Sequence, residues 1–505
     1  MLRILLATYD NDSFVSWFPQ GLAAVAAVIK QDGHSVSIWD SDINHYPSNE
    51  LTTFLDNNDA FDVIGISLIA GYWQYKKLME LSSAIARSKK RPPFFIIGGY
   101  GPTPEPEYFL KKTQADIVVM GEGEDTTREL LKTISAGKFP SGIRGIAYRQ
   151  EDTVTINPQR ELIPEDGLGD ESRVPMPAYE LFDVNAYRLY RVANSHKTDF
   201  TMPVLSGRGC TFKCNFCYRM DTGFRPRPVP SILEEIDYLQ IEHKINYILF
   251  SDDLLMVSKE RSIEIAEGFI QHQEKTKRPF KWNCNGRLNY CTPEILALMK
   301  RAGCGYINFG IEAYDNDALK KMKKGLNTDI IDRGIAQTIK AGIHPGLNFI
   351  WGNIGETIET LDKATNFLLD YDNHAELRTI RPVTPYPGSP LYYHAINNGL
   401  LDSTNPAEDF YERKHLNSDL IACNFTNLSD DAAHAALAVA NKRLIDSYID
   451  AQKRNLHRQT DKLYIEKDID FRGYRQGGDV SGLEKAVAAD SKHSTRKTTA
   501  NLSLS

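Results

Sequence analysis

Three cysteines stand at C-x3-C-x2-C spacing in Gly207-Arg208-Gly209-Cys210-Thr211-Phe212-Lys213-Cys214-Asn215-Phe216-Cys217-Tyr218. Thiolates are the usual ligands of iron–sulfur clusters, and a cubane normally takes four of them. Three at this spacing leave one iron without a protein ligand, and an open metal position is what a catalytic site uses to bind substrate. Zinc is the competing chemistry, but structural zinc wants four closed Cys or His ligands. No second C-x2-C occurs, and Cys284, Cys291, Cys304 and Cys423 are scattered singly. Seven cysteines, an odd number, with no secretory signal, argue against a disulfide framework.

The stretch follows the extended, apolar residues 202–205 and resembles the cluster loop of the radical S-adenosylmethionine enzymes, including Phe216 just before the last cysteine. The resemblance implies a 4Fe–4S cluster on Cys210, Cys214 and Cys217, with Tyr218 beside the cofactors. The open iron would be chelated by the amino and carboxylate groups of S-adenosylmethionine. An electron from the cluster would split the sulfonium into methionine and a 5′-deoxyadenosyl radical. It implies a low-potential electron donor, a ferredoxin or flavodoxin, as partner.

At 505 residues the chain has room for two to four domains. Its hydrophobic content of 42% and charged content of 25% are those of a soluble globular protein. No apolar run approaches the roughly 20 residues of a transmembrane helix. The apolar start, residues 1–7, is too short for a signal peptide and reads as a buried strand. The net charge of −7 gives no general attraction to nucleic acid or anionic lipid. A cytoplasmic protein is expected, since a reducing compartment suits a thiolate-ligated cluster.

The elements that must carry this loop fall into two α/β parts. In residues 1–150, short apolar runs at 4–7, 35–39, 63–67, 94–97 and 117–120 alternate with helix-length segments. That alternation predicts a doubly wound, Rossmann-like parallel sheet covered on both faces. Ligands bind such sheets at the carboxyl ends of the strands. The glycine-bearing segments Gly98-Gly99-Tyr100-Gly101-Pro102 and Gly121-Glu122-Gly123-Glu124 lie there. The dinucleotide fingerprint is absent after the first strand, which disfavours nicotinamide or flavin. Preceding a radical S-adenosylmethionine loop, this part resembles the cobalamin-binding domain of one large subgroup. Gly98-Gly99 with Pro102-Thr103 is similar to its G-G-x-x-P-T, Gly121-Glu122-Gly123-Glu124 to its G-E-G-E, and Ser67 to its contact with the cobalamin tail. Tyr100-Gly101 stands where the subgroup often has a histidine. No D-x-H-x-x-G follows the first strand (Tyr9-Asp10-Asn11-Asp12-Ser13), so the resemblance implies base-off cobalamin without a histidine ligand. A flavodoxin-like domain that only supports its neighbour is the bland alternative. A methylthiotransferase is excluded, because residues 1–209 contain no cysteine for a second cluster.

Residues 151–199 read as a proline-bearing linker. From 200 to 395, strand runs at 247–250, 280–283, 306–309, 347–350 and 377–381 alternate with helices at 232–241 and 293–302. With the strand before the cluster loop they fit the partial (β/α)6 TIM-type barrel of the radical family, with functional residues at the carboxyl ends of its strands. Those ends supply Asp252 and Asp253, for the ammonium of bound S-adenosylmethionine or a substrate donor. They also supply Arg287 for its carboxylate, and Glu312, in the family's G-I-E stretch, for the ribose. A capping aspartate pair, a structural ion pair and a surface glutamate are the plain alternatives. Residues 319–325 (Leu-Lys-Lys-Met-Lys-Lys-Gly) read as a solvated cationic helix face. Ile354 replaces the proline of the family's G-x-P-G-E-T, and Thr384–Tyr392 is similar to its T-P-x-P-G-T-x-L-Y. Residues 396–475 are expected to be a mainly helical substrate or cap region, with a helix from 430 to about 451, and 476–505 a mobile tail.

The resemblance implies hydrogen abstraction from an unactivated carbon of a small molecule or natural product, followed by methyl transfer from methylcobalamin. Two alternatives remain: oxidative cyclisation with the same cofactors, and a non-catalytic cobalamin sensor or electron carrier.

Overall fold

Arg3–Ala7, Ser35–Trp39, Val63–Ser67, Phe94–Gly98 and Ile117–Val119 (β1–β5) are short apolar segments separated by helices, and they pair as a parallel sheet. The structure, a computed structural model, describes residues 1–470 except Ala193, Asn194 and Lys197. The tail expected at 476–505 lies outside the described residues. The chain divides into two compact units. One comprises Met1–Tyr190, Phe200–Asp253 and Thr384–Cys423; the other comprises Arg191–Asp199, Leu254–Val383 and the residues from Asn424 on.

In the first unit the sheet runs β2-β1-β3-β4-β5, extended by antiparallel Ile146–Gln150 (β6) and Thr153–Ile156 (β7). Chain direction across the sheet reverses between β1 and β3, the point at which doubly wound sheets open a ligand crevice. Helices Gln20–Gln31 and Glu124–Ser135 bury Leu22, Ala26, Ile29, Leu130 and Leu131 against Ile4, Leu6, Val63 and Ile117. Residues expected as linker fold onto this body: Tyr179 is fully buried and stacks on Phe18 with ring centroids 5.0 Å apart. Thr201–Val204 (β8) and Tyr247–Phe250 (β11) pair in parallel around helix Val229–His243. Between β8 and that helix, Gly207–Cys210 (β9) and Gly223–Pro226 (β10) form an antiparallel hairpin. The segment Thr384–Cys423 returns to the same unit. There Tyr411 stacks on Tyr75 at 5.0 Å, and Glu412 accepts hydrogen bonds from Tyr75 and Tyr108 at 2.9 and 3.0 Å.

In the second unit Lys281–Gly286, Cys304–Glu312 and His344–Trp351 (β12–β14) are parallel, joined at the edge by the two residues Arg381–Pro382 (β15). Strands β8, β11 and β12–β15 are the six expected from the sequence between residues 200 and 395. The strand expected at 377–381 scarcely forms. Asn441 takes both backbone groups of Ile380, at 2.8 and 3.0 Å, and Arg378 is buried on Asp372. Thr292 caps helix Pro293–Arg301 as its sequence demands. The helix expected to end near 451 continues from Asp430 to Tyr464, although its last buried residue is Leu444. No described helix is long and apolar enough to cross a membrane.

Candidate functional site

The carboxyl ends of β1, β3, β4 and β5 open into a cavity of about 860 Å³, within the range of ligand pockets. Ser67, Gly98, Gly99, Gly121, Glu122 and Gly123 all line it. Gly99 is held at φ +97°, and a Cβ there would lie 2.5 Å from the Leu68 carbonyl oxygen, so no other residue fits without strain. A Cβ on Gly121 would project into open space; its absence widens the cavity. Glu122 is not free to meet a ligand. One carboxylate oxygen accepts from Arg208 at 2.6 Å, the other from the Ile163 amide at 2.7 Å and from Arg225 at 3.0 Å.

The same cavity is lined by residues flanking the cysteine loop and by the end of β11: Gly207, Arg208, Gly209 and Asp221, with Ser251, Asp252 and Asp253. The hairpin sets Cys210 opposite Gly223, closing the loop that carries all three thiols. Gly209 makes this possible, with φ +82° and the Gly223 carbonyl 2.4 Å from where a Cβ would sit. Burial pushes the Cys217 thiol up to about 12, with Asp253, Cys214 and Cys210 adding to it. The positive charge of a bound metal would favour the Cys217 thiolate. Among the described residues no three His, Cys, Asp or Glu side chains converge on one metal ion, and a cluster instead spreads its ligands over separate corners. Tyr218 lies against Gly388, where a Cβ would approach its ring to 2.5 Å, and meets Tyr100 edge-on at 6.2 Å. The Leu391 amide donates to the Asn215 carbonyl at 2.8 Å, tying the returning segment to the loop. Asp252 is buried beneath it and accepts from the Ser206 amide and hydroxyl at 2.8 and 3.1 Å. Burial still carries its carboxyl up to about 7. Burial also raises Asp253.

The remaining two expected residues lie in the second unit. Arg287 is buried and donates to the Lys324 carbonyl. Glu312 is buried at φ +71°, an uncommon conformation for a residue with a side chain, and pairs with Lys324 at 2.9 Å. Lys324 is thus no part of a solvated face: that expectation is corrected by its 7% exposure and its ion pair.

Residues 204–368 match the radical SAM superfamily, and residues 4–131 match the B12 binding domain. The chain joins a B12-binding domain to a radical SAM domain. It is 28% identical over 439 residues to an uncharacterized methyltransferase of Pyrococcus horikoshii, covering 84% of this chain and 90% of that one. It is 25% identical over 445 residues to cytidylyl-2-hydroxyethylphosphonate methyltransferase of Streptomyces wedmorensis, covering 78% and 80%. Anaerobic magnesium-protoporphyrin IX monomethyl ester cyclase of Rubrivivax gelatinosus is 25% identical over 390 residues, covering 75% and 66%. Among solved structures, the radical S-adenosylmethionine methyltransferase TsrM from Kitasatospora setae aligns with a TM-score of 0.68 at 17% identity, covering 87% and 89%. The cobalamin-dependent S-adenosylmethionine radical enzyme OxsB aligns at 0.61 and 19% identity, covering 79% and 56%. At such identities the likeness is one of fold, and the α/β class expected from the sequence is the one found.

In the B12-binding and radical SAM parts alike, the sequence reading passed over the charged residues between the motifs. Arg208, Asp221 and Arg225 join Glu122 and Glu124 in one buried network, with Arg208 to Glu124 at 2.5 Å and Arg225 to Asp221 at 2.8 Å. An arginine between two glycines, just before a cysteine loop, was the available signal.

Proposed function

We propose that this is a cobalamin-dependent radical SAM enzyme that methylates an unactivated carbon of a small molecule. One observation carries the reading: a single cavity is lined both by the glycine-bearing strand ends and by Gly207, Arg208, Gly209, Met220 and Asp221, the residues that flank the three cysteines. The residues fit the cofactors. Gly99 and Gly121 leave a wall that a flat, bulky corrinoid can approach, and Cys210, Cys214 and Cys217 share one closed loop able to hold a 4Fe–4S cluster. Tyr9 and Asn11 line the cavity after β1, and no histidine occurs in its described lining, which supports a corrinoid without a histidine ligand.

When bound, the cofactors supply reductive cleavage of S-adenosylmethionine, hydrogen abstraction and a transferable methyl group. The chain's own residues orient the reactants. Asp253 places a carboxylate in the cavity wall for an ammonium group. Asp252, fixed by Ser206, holds the β8 and β11 ends together. Arg287 and Glu312 remain the candidates for the carboxylate and ribose of S-adenosylmethionine. Leu68, Ile69 and Leu205 give the cavity apolar wall. A ferredoxin or flavodoxin would deliver the electron. Anaerobic turnover with methyl-labelled S-adenosylmethionine tests the reading. Label is expected in the product, together with 5′-deoxyadenosine. Deoxyadenosine with an unlabelled, cyclised product would move the assignment to cyclisation, and cobalamin binding without deoxyadenosine would leave only a sensor or carrier.

A further inference from the structure

The buried network between Glu122 and Arg225 holds three carboxylates, Glu122, Glu124 and Asp221, against two guanidinium groups, Arg208 and Arg225. With all five ionised it carries one negative charge in excess, although burial and the neighbouring Glu122 raise the Asp221 carboxyl against the pull of Arg225 and Arg208. All five side chains are 5–17% exposed, so water screens that charge poorly. Burial alone would neutralise Glu124, but Arg208 holds it ionised; burial likewise opposes the charge on Arg208, and Glu124 and Glu122 restore it. The network enters the polypeptide at Arg208, two residues before the first cysteine. Four of its members also line the cavity.

Resting on the functional reading above, we propose that this network is an electrostatic positioning device for the radical SAM cluster. It fixes the cysteine loop at the cavity wall, and its surplus negative charge lowers the reduction potential of a cluster held by Cys210, Cys214 and Cys217. Net charge and burial are among the levers that set cluster potentials. A negative neighbour disfavours addition of an electron, and a low potential is what splitting a sulfonium demands. Glu122 and Glu124 then serve the cluster as well as the cavity, although they lie 86 and 84 residues before Arg208.

The test is an anaerobic redox titration, followed by electron paramagnetic resonance, of the full-length reconstituted protein without corrinoid or S-adenosylmethionine. Glu122→Gln, Glu124→Gln and Asp221→Asn should each raise the potential. Arg208→Gln should lower it, and Arg208→Lys, which keeps the charge, should leave it near the wild-type value. Opposite signs for acid and base removal are the signature, since a purely structural role predicts no such ordering. If Arg208→Gln fails to fold, the three acid variants still decide. Unchanged or uniformly lowered potentials in them would overturn the proposal. Failure of the wild-type protein to assemble any 4Fe–4S cluster would instead overturn the functional reading.

Discussion

Each of Cys210, Cys214 and Cys217 sits in a loop closed by its own hairpin, so losing one thiol should not disturb the rest of the fold. Replacing any one with Ala is expected to abolish 4Fe–4S absorbance and deoxyadenosine formation while leaving far-ultraviolet circular dichroism intact. Arg208 is different. Its removal leaves Glu122 and Glu124 buried with their main partner gone, and Arg208→Ala should cost about 3–5 kcal/mol in chemical denaturation. A cost near zero would mean that water replaces the guanidinium. The cysteines and the two glycine segments were legible because their chemistry is written in local spacing. The Arg208 pairs were not, because nothing in a linear reading brings residues 122 and 208 together. Lys324 was misread for the same reason: its burial depends on Glu312, twelve residues earlier and on another element.

At the level of elements, close backbone approach decides which changes are tolerated. Gly209→Ala combines a left-handed φ with a 2.4 Å approach to the Gly223 carbonyl, so it should cost roughly 1–3 kcal/mol and loosen the thiol loop. The measurable result is a lower iron content per chain after reconstitution, alongside a lower unfolding midpoint. Most strands and helices were readable from apolar periodicity and caps, Thr292-Pro293 being a clear case. The expected strand at 377–381 fails because its amide and carbonyl are claimed by a side chain, Asn441, that lies far ahead in the sequence. The last turns of the helix ending at Tyr464 were missed because they bury nothing, and apolar patterning reports only buried faces.

For the whole molecule, two buried carboxyls set a pH dependence. Burial raises Asp252 to about 7 and Glu356 to about 8, both above the unfolded values near 4. These two carboxyls favour low pH, but His344 and His415, which burial lowers to about 4, work the other way below about 6.5, so stability falls as pH rises from about 6.5 to 8. Melting temperatures of the cofactor-free protein should decline across that window, and Glu356→Gln should flatten the upper part of the slope. A flat profile in the unaltered protein would refute the assignment. The α/β class was legible from alternation alone, but the division of the chain was not. The first unit is assembled from three separated stretches, and its last contribution ends at Cys423. Until those late residues leave the ribosome, Tyr75 and Tyr108 lack the carboxylate of Glu412, and Glu105 lacks the hydroxyl of Tyr392 that bonds it at 2.9 Å. The helices that carry Tyr75 and Tyr108 therefore wait beside a complete sheet for more than two hundred further residues to be synthesised, which exposes them to chaperones and proteases. Excising the sheet at residue 150 would make that exposure permanent.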